Sequence, residues 1–143
     1  MNKTLKVKIL KEGGKPPSVA HPGEDLGYDL YAFETMVIPA TAQAIVPTGI
    51  ALGFPEGFGG IIKDRSSVAA KMIYTSAGVI DNGYHGEIKV LLRNENRVSV
   101  TISAGDKIAQ LVLVEVHTLS SLLIVDEFDE SKRGDGGFGS TGK

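Results

Sequence analysis

The sequence has no cysteine and only three histidines among its 143 residues. Without cysteine, the chain has no disulfide framework, no thiol nucleophile and no cysteine-ligated zinc site such as that of the zinc deaminases. Three scattered histidines do not favour a histidine-only metal site. The sequence also lacks any apolar run of the ~20 residues that cross a bilayer, and the opening MNKTLKVKIL lacks the apolar core of a signal peptide. These absences predict a cytoplasmic protein with no membrane partner.

The sequence also lacks a large excess of either positive or negative charge. Lys and Arg number 15 and Asp and Glu number 17, which gives a formal net charge of −2. A protein that coats DNA or RNA needs a positive field, so nucleic acid is not an expected partner. The length corresponds to one domain, and 42% apolar with 22% charged residues is typical of a globular chain.

Proline and glycine divide the chain unevenly. All six prolines lie in the first 55 residues, and five of the 18 glycines lie in the last ten. Short apolar or alternating segments of strand length fill the body. The predicted strands are Leu5–Ile9, Met36–Pro39, Ile45–Leu52, Gly60–Lys63, Met72–Ile80, Gly86–Leu92, Val98–Ile102, Ile108–Val116 and Leu122–Val125. With only Ser66–Lys71 predicted as a helix, the pattern indicates an all-β sandwich, jelly roll or barrel.

One turn and the C-terminal segment stand out between and after these strands. Asn82-Gly83 predicts a tight hairpin between two of the strands, because this pair adopts positive φ readily. The glycine-rich C-terminal segment has Phe138 as its one large apolar side chain. It is therefore predicted to be disordered or to order against something else. We divide the chain into a β domain, residues 1–125, and a linker with a flexible arm, residues 126–143.

A carboxylate and an aromatic ring flank the predicted hairpin turn. The segment Gly78–Glu87 reads GVIDNGYHGE, with Asp81 directly after an apolar run and Tyr84 three residues later. A carboxylate at such a turn can be held rigidly and partly desolvated, as a general base requires. The alternative is that Asp81-Asn82-Gly83 serves only as a good turn.

Two other segments have features that suit phosphate. Arg65, Ser66 and Ser67 place a guanidinium, two hydroxyls and free backbone N–H groups at the start of the predicted helix. In the tail, glycines expose backbone N–H groups near Arg133 and Phe138; the letters there match GxxxxGK, but no Ser/Thr and no helix follow as in a Walker A loop. The alternatives are an ordinary helix cap beside a surface arginine and a solvated tail.

Two further polar residues stand within apolar surroundings. Gln110, in GDKIAQL, needs hydrogen-bond partners if it is buried, and these are either backbone groups or a ligand. Asp29, in LGYDLY, is an acid beside two tyrosines, which suits cation-linked binding. The alternative for Asp29 is an ordinary position at a strand edge.

Taken together and in this order, these segments resemble the five motifs of the trimeric deoxyuridine triphosphatase (dUTPase) family: PGEDLGYDLYA, KDRSSVA, AGVIDNGYHGE, GDKIAQL and RGDGGFGSTG. The resemblance runs from about His21 to the last residues. It implies an all-β, dUTPase-type jelly-roll β-barrel with one short helix and a glycine-rich C-terminal tail, assembled as a homotrimer. It also implies hydrolysis of dUTP to dUMP and pyrophosphate with Mg²⁺ on the triphosphate, which keeps uracil out of DNA and supplies dUMP for thymidylate synthesis.

The resemblance implies roles for the residues around the predicted turn. Asp81 would activate the water that attacks the α-phosphorus. Tyr84 would pack under the deoxyribose and exclude a 2′-hydroxyl. The main chain at Val79, Ile80 and Lys89 would read the uracil edge.

The remaining motif residues are implied to surround the phosphates and to close the site. The expected phosphate ligands are Arg65, Ser66, Ser67, Gln110 at the α-phosphate and Arg133 at the γ-phosphate. Phe138 would stack on uracil with the Gly139 backbone beside it, as the tail closes over a nucleotide shared between neighbouring subunits. Asp29 would meet the Mg²⁺ shell through water.

Two positions depart from the family pattern, and two alternative functions stay open. Asp64 stands where many members have Pro or Gly, and Thr75 stands where bacterial relatives often have Asn. A dCTP deaminase or bifunctional deaminase–dUTPase of the same superfamily needs a catalytic glutamate on the strand after the turn, where our alignment places Leu91. The other alternative is a non-catalytic, nucleotide-sensing trimer.

Overall fold

The structure, a computed structural model, describes residues 3–118 and 121–142. Residues 1–2, 119–120 and 143, which the predicted division of the chain includes, lie outside the described residues. The described residues form ten strands and one short helix: β1 (Lys6–Ile9), β2 (Gly27–Tyr31), β3 (Met36–Ile38), β4 (Gln43–Gly53), β5 (Phe58–Lys63), α1 (Ser66–Ala69), β6 (Ile73–Ser76), β7 (Val79–Ile80), β8 (Glu87–Asn94), β9 (Val100–Ile102) and β10 (Lys107–Glu115). No helix among them has the length and hydropathy that a membrane crossing requires.

The strands form two four-stranded sheets and one two-stranded sheet. The first large sheet has the order β1-β4-β8-β6, the second has the order β2-β10-β5-β7, and β3 pairs with β9. Every pairing is antiparallel. The jelly-roll-type all-β fold predicted from the sequence is therefore confirmed, with the difference that the sheets do not close into a single barrel.

The core lies between the two large sheets. Along β8, buried Ile88, Val90 and Leu92 alternate with exposed Lys89 and Arg93, as the two-residue period of a strand requires. Apolar side chains from all three sheets complete the core: Leu30, Ile38, Val46, Ile50, Leu52, Ile62, Ile73, Ile102, Ile108 and Leu111.

The predicted strand Met72–Ile80 is wrong as a single element. Ala77 has φ 59° and Gly78 has φ 86°, and this left-handed pair divides the segment into β6 and β7. Strand β6 pairs with β8, whereas β7 pairs with β5 in the other sheet. A Cβ on Gly78 would lie 2.8 Å from the carbonyl oxygen of Ile62, so the chain needs glycine here to pass from one sheet to the other. The turn at residues 81–84 therefore connects the two sheets instead of two adjacent strands.

Other elements also differ from the prediction. The segment Leu122–Val125 forms no strand, and its side chains are exposed. Strand β2 is not among the predicted strands, although Leu30 in it and Ala32 just after its end are buried at alternate positions. The predicted helix forms but ends at Ala69.

Candidate active site

The turn after β7 is fixed by the side chain of Asn82. The Tyr84 N–H donates to the Asp81 carbonyl oxygen at 3.1 Å, which closes a four-residue turn. Neither Asn82 nor Gly83 adopts positive φ, so the conformational reason predicted for this pair is wrong. Instead, the Asn82 amide donates to the carbonyl oxygens of Phe58 at 2.7 Å and Pro55 at 3.1 Å. These bonds attach the turn to the corner between β4 and β5.

A small cavity of about 170 Å³ lies against this turn. It is lined by Val79, Ile80, Asp81, Tyr84, Glu87 and Lys89. The structure thus brings together the five residues to which the resemblance gives roles around the turn, whereas Phe138 and Gly139, also predicted at the uracil, are not among them. Glu87 was not predicted, although it is the last residue of the motif that contains Asp81.

Tyr84 and Asp81 differ in how the protein holds them. The Tyr84 hydroxyl donates to the Glu87 carbonyl oxygen at 2.8 Å, which sets the ring across the turn. A Cβ on Gly86 would lie 2.6 Å from that hydroxyl, so the ring position depends on glycine there. The Asp81 side chain is exposed and has no hydrogen-bond or ion-pair partner among residues 3–118 and 121–142. Its carboxylate is therefore available to a water or a ligand at the rim of the cavity.

A second cluster carries the charged groups. Asp29 on β2 lies opposite Gln110 on β10, which lies opposite Lys63 on β5. The Asp29 carboxylate forms ion pairs with Arg65 at 3.0 Å and with Lys107 at 3.3 Å. Two cations around one carboxylate leave a net positive charge, which suits phosphate oxygens. Lys107 was not predicted, although it stands three residues before Gln110 in the same motif.

Gln110 finds its partner in the backbone. Its side-chain amide donates to the Asp64 carbonyl oxygen at 2.8 Å. The side chain also crosses Gly27, where a Cβ would lie 2.3 Å from the Gln110 Oε1. The glycine in LGYDLY therefore makes room for Gln110.

The two positions that depart from the family pattern contact each other. The Asp64 Oδ1 accepts a hydrogen bond from the Thr75 backbone N–H at 2.6 Å. This bond connects the end of β5 with β6, and so it joins the two large sheets directly before Arg65. The Asp64 carboxylate, which stands next to Arg65 in the sequence, therefore already accepts a hydrogen bond from the backbone of β6.

Ser66 and Ser67 begin α1 and face solvent. Arg65 precedes them at the cap position without a side-chain cap bond. Within the described ranges, the hydroxyls and backbone N–H groups of both serines have no hydrogen-bond partner. Free donors of this kind next to a guanidinium are suited to bind an anion.

The tail residues Arg133, Phe138 and Gly139 lie apart from both clusters. The Arg133 Nε donates to the Gly136 carbonyl oxygen at 2.7 Å, and Phe138 is fully exposed. Hydrogen bonds of residues 131–142, as far as the structure describes them, stay within that segment. The structure does not bring the tail to the cavity of its own chain.

The cavity and the charged cluster also lie at opposite ends of β5. Strand β7, which leads to Asp81, pairs with Gly60 and Ile61 near the start of β5, whereas Arg65 follows its end at Lys63. From Gly60 to Lys63 the strand advances by roughly 10 Å. The two groups of candidate site residues are therefore separated along β5 in one chain, and each group is called a half-site below.

The comparison with protein families decides the identity of the chain. The dUTPase family model matches residues 17–142, which include all five motifs and both half-sites. The chain belongs to the dUTPase family. Among relatives of known name, a deoxyuridine 5′-triphosphate nucleotidohydrolase of Candida glabrata is 43% identical over 140 residues, which cover 97% of this chain and 96% of that protein.

Solved dUTPase structures share the fold. A Staphylococcus bacteriophage 80alpha dUTPase with dUpNHpp superposes with a TM-score of 0.91 at 32% identity, covering 98% of this chain and 99% of that one. A mutant dUTPase of the S. aureus phage phi11, described for its coordination of a structural Mg(II) ion, gives a TM-score of 0.81 at 30% identity, covering 89% and 99%. The dUTPase fold thus extends over nearly the whole chain.

Proposed function

We propose that this chain hydrolyses dUTP to dUMP and pyrophosphate, with Asp81 as the general base. The observation that carries the proposal is the unpartnered Asp81 carboxylate at the rim of a cavity that Tyr84 also lines. A positioned carboxylate accepts the proton of an attacking water and accelerates such a step by roughly 10²–10⁴-fold. In-line attack at the α-phosphorus then releases pyrophosphate.

The cavity accounts for the choice of nucleoside. It is lined by residues of β7 and β8, and each of these strands is held by pairing in its own sheet. Backbone groups that pair with the uracil edge reject cytosine, because its exocyclic amine leaves them unpaired, an effect worth up to about 10⁴–10⁵ in such sites. A stiff wall leaves no room for the methyl group of thymine, and the ring of Tyr84 excludes a ribose 2′-hydroxyl.

The charged cluster is proposed to bind the phosphates. Arg65, Ser66 and Ser67 provide donors for phosphate oxygens, and Lys107 and the Gln110 amide lie beside them. A triphosphate oxygen on Arg65 takes the place that Asp29 occupies on its guanidinium. This exchange leaves the Asp29 Oδ1 free to accept hydrogen bonds from water, while Lys107 remains at Oδ2.

The side chains of the charged cluster suit a Mg²⁺ ion that enters the site bound to the substrate triphosphate. Mg²⁺ keeps several waters and binds through one or two carboxylates plus substrate phosphates. No group of three or more acidic or histidine side chains within residues 3–118 and 121–142 is placed to hold a metal ion, and Asp29 is the carboxylate next to the phosphate donors. Asp29 would thus bind the ion through water. When bound, Mg²⁺ neutralises charge on the triphosphate.

A homotrimer with shared sites is the assembly we propose. The two half-sites of one chain lie at opposite ends of β5, so Asp81 of one subunit meets Arg65 of another on the same nucleotide. The arm of residues 126–143 exposes Phe138 and Phe128, and residues 122–125 before it are apolar and exposed. Exposed apolar segments of this kind are typical of contacts with another molecule. Arg133 and Phe138 would close over the γ-phosphate and the uracil of a neighbouring site.

Pyrophosphate release from dUTP, dCTP, dTTP and UTP tests the function. We expect rapid release from dUTP alone in the presence of Mg²⁺ and little release with EDTA. Release from dCTP or dTTP as well would show that the cavity is not selective as proposed. Ammonia release from dCTP would favour the deaminase alternative and contradict the assignment of Leu91, which lies half-buried between Ile45 and Ser76.

Mixing two inactive variants tests the shared site. Asp81→Asn and Arg65→Gln are each expected to be nearly inactive. After refolding a 1:1 mixture, about one quarter of the sites should combine a native Asp81 with a native Arg65, if a neighbouring subunit supplies the arginine. Activity near a quarter of that of the native protein is the expected result. A mixture as inactive as its components would place both residues in one chain.

A further inference from the structure

We propose that Glu87 is a positioning residue for Tyr84, and that it sets how strongly the enzyme prefers deoxyribonucleotides to ribonucleotides. The inference rests on the proposed function, in which Tyr84 packs against the sugar. The sequence-based roles left Glu87 without an assignment. The structure places its backbone and its carboxylate in two different contacts, and together these connect Tyr84 to the centre of the first sheet.

The backbone of Glu87 is the hydrogen-bond partner of the Tyr84 side chain. Its carbonyl oxygen accepts the hydrogen bond from the Tyr84 hydroxyl at 2.8 Å. The position of the ring across the turn is therefore only as fixed as the first residue of β8.

The carboxylate of Glu87 fixes that first residue. Its Oε2 accepts a hydrogen bond from the Gly49 N–H at 2.9 Å, and Lys11 lies 3.3 Å from the same oxygen. The side chain is only 14% exposed. A largely buried carboxylate held by a backbone donor and a cation makes a stronger contact than a surface ion pair does.

Gly49 is a rigid anchor for this carboxylate. The register between β4 and β8 shifts between Pro47 and Ala51, and Gly49 lies in this irregular stretch with φ 75°. Phe33 packs so closely on Gly49 that a Cβ there would lie 2.6 Å from its ring. The irregularity takes the Gly49 N–H out of the regular ladder, and Glu87 supplies its acceptor.

Glu87 therefore connects the sheet to the sugar pocket through two successive contacts, from Gly49 to its carboxylate and from its carbonyl oxygen to Tyr84. Loss of the Glu87 carboxylate releases the start of β8, and the Tyr84 ring then gains freedom to move away from the sugar. Asp81 is held separately, because the turn is attached through Asn82 to Pro55 and Phe58. Glu87 therefore affects sugar selection more than the chemical step.

The test is the ratio of kcat/KM for dUTP to kcat/KM for UTP. We expect Glu87→Ala to lower this ratio by about 10-fold, since exclusion of an added hydroxyl by packing is worth only ~10²-fold. Glu87→Gln keeps an oxygen acceptor for Gly49 and should retain most of the selectivity. Glu34→Ala, which removes an exposed carboxylate, serves as the control.

Tyr84→Phe provides an independent arm if Glu87→Ala does not fold. It removes the hydroxyl that binds Glu87 and should lower the same ratio, and in the double variant the two effects should not add. An unchanged ratio in Glu87→Ala, equal losses in Glu87→Ala and Glu87→Gln, or additive effects would overturn the proposal. A native enzyme that turns over UTP as well as dUTP would instead contradict the proposed function itself.

Discussion

Asp81→Asn is expected to bind the nucleotide and to fail to hydrolyse it. The asparagine has nearly the same shape but cannot take a proton from the attacking water, so kcat should fall by roughly 10²–10⁴-fold. The side chain has no protein partner in the described parts of the chain, so the fold and the cavity should remain unchanged. Steady-state kinetics together with calorimetric binding of dUTP in the variant would measure both effects.

The matched control for this prediction is Glu34→Gln. It makes the same chemical change at an exposed carboxylate outside both half-sites, and its kinetics should equal those of the native protein. If Asp81→Asn retains native turnover, Asp81 is not the base. If it loses turnover only because dUTP no longer binds, its role is in binding and not in the chemical step.

Deletion of residues 133–143 should leave the fold intact and remove most of the activity. The hydrogen bonds of this segment lie within residues 131–142, so the thermal midpoint should stay within a few degrees of the native value. The lost Arg133 contact and the lost stacking of Phe138 on uracil should lower kcat/KM by roughly 10²-fold, since stacking alone is worth about 1–3 kcal/mol. Thermal unfolding and steady-state kinetics test the two parts separately.

Two aromatic substitutions in the arm refine this test. Phe138 and Phe128 are both exposed, but only Phe138 is assigned to the nucleotide. Phe138→Ala should lower kcat/KM for dUTP by about 10-fold or more, whereas Phe128→Ala should change it little. Unfolding of the truncated protein would show that the arm is structural. Equal effects of the two substitutions would contradict the stacking assignment.

The sequence predicts most of the fold because buried apolar residues alternate with exposed polar residues along these strands. In β8, the buried Ile88 and Val90 flank the exposed Lys89, and this pattern identifies the strand and its inward face. The predicted segment Met72–Ile80 fails for a different reason. Its apolar content runs through Ala77-Gly78, where two left-handed residues send the chain to the other sheet. Apolar content alone does not show which sheet a strand joins.

The site shows the same division between local and long-range information. The motif residues around Asp81 come from one short segment, so the sequence predicts that they lie together, and the structure brings them to one cavity. Other roles depend on partners from distant parts of the chain. Lys107 pairs with Asp29, Asn82 donates to Phe58, and Glu87 accepts from Gly49. No local pattern identifies such contacts. Roles in catalysis, the trimer and the cytoplasmic location stay predictions.

Hydrolysis in water enriched in ¹⁸O tests the central claim most directly. If Asp81 activates a water for attack at the α-phosphorus, mass spectrometry should find one ¹⁸O in dUMP and none in pyrophosphate from a single turnover. The same label should be absent from both products with Asp81→Asn over the time of one native turnover. Label in pyrophosphate would place the attack at the β-phosphorus and contradict the proposed geometry of the site.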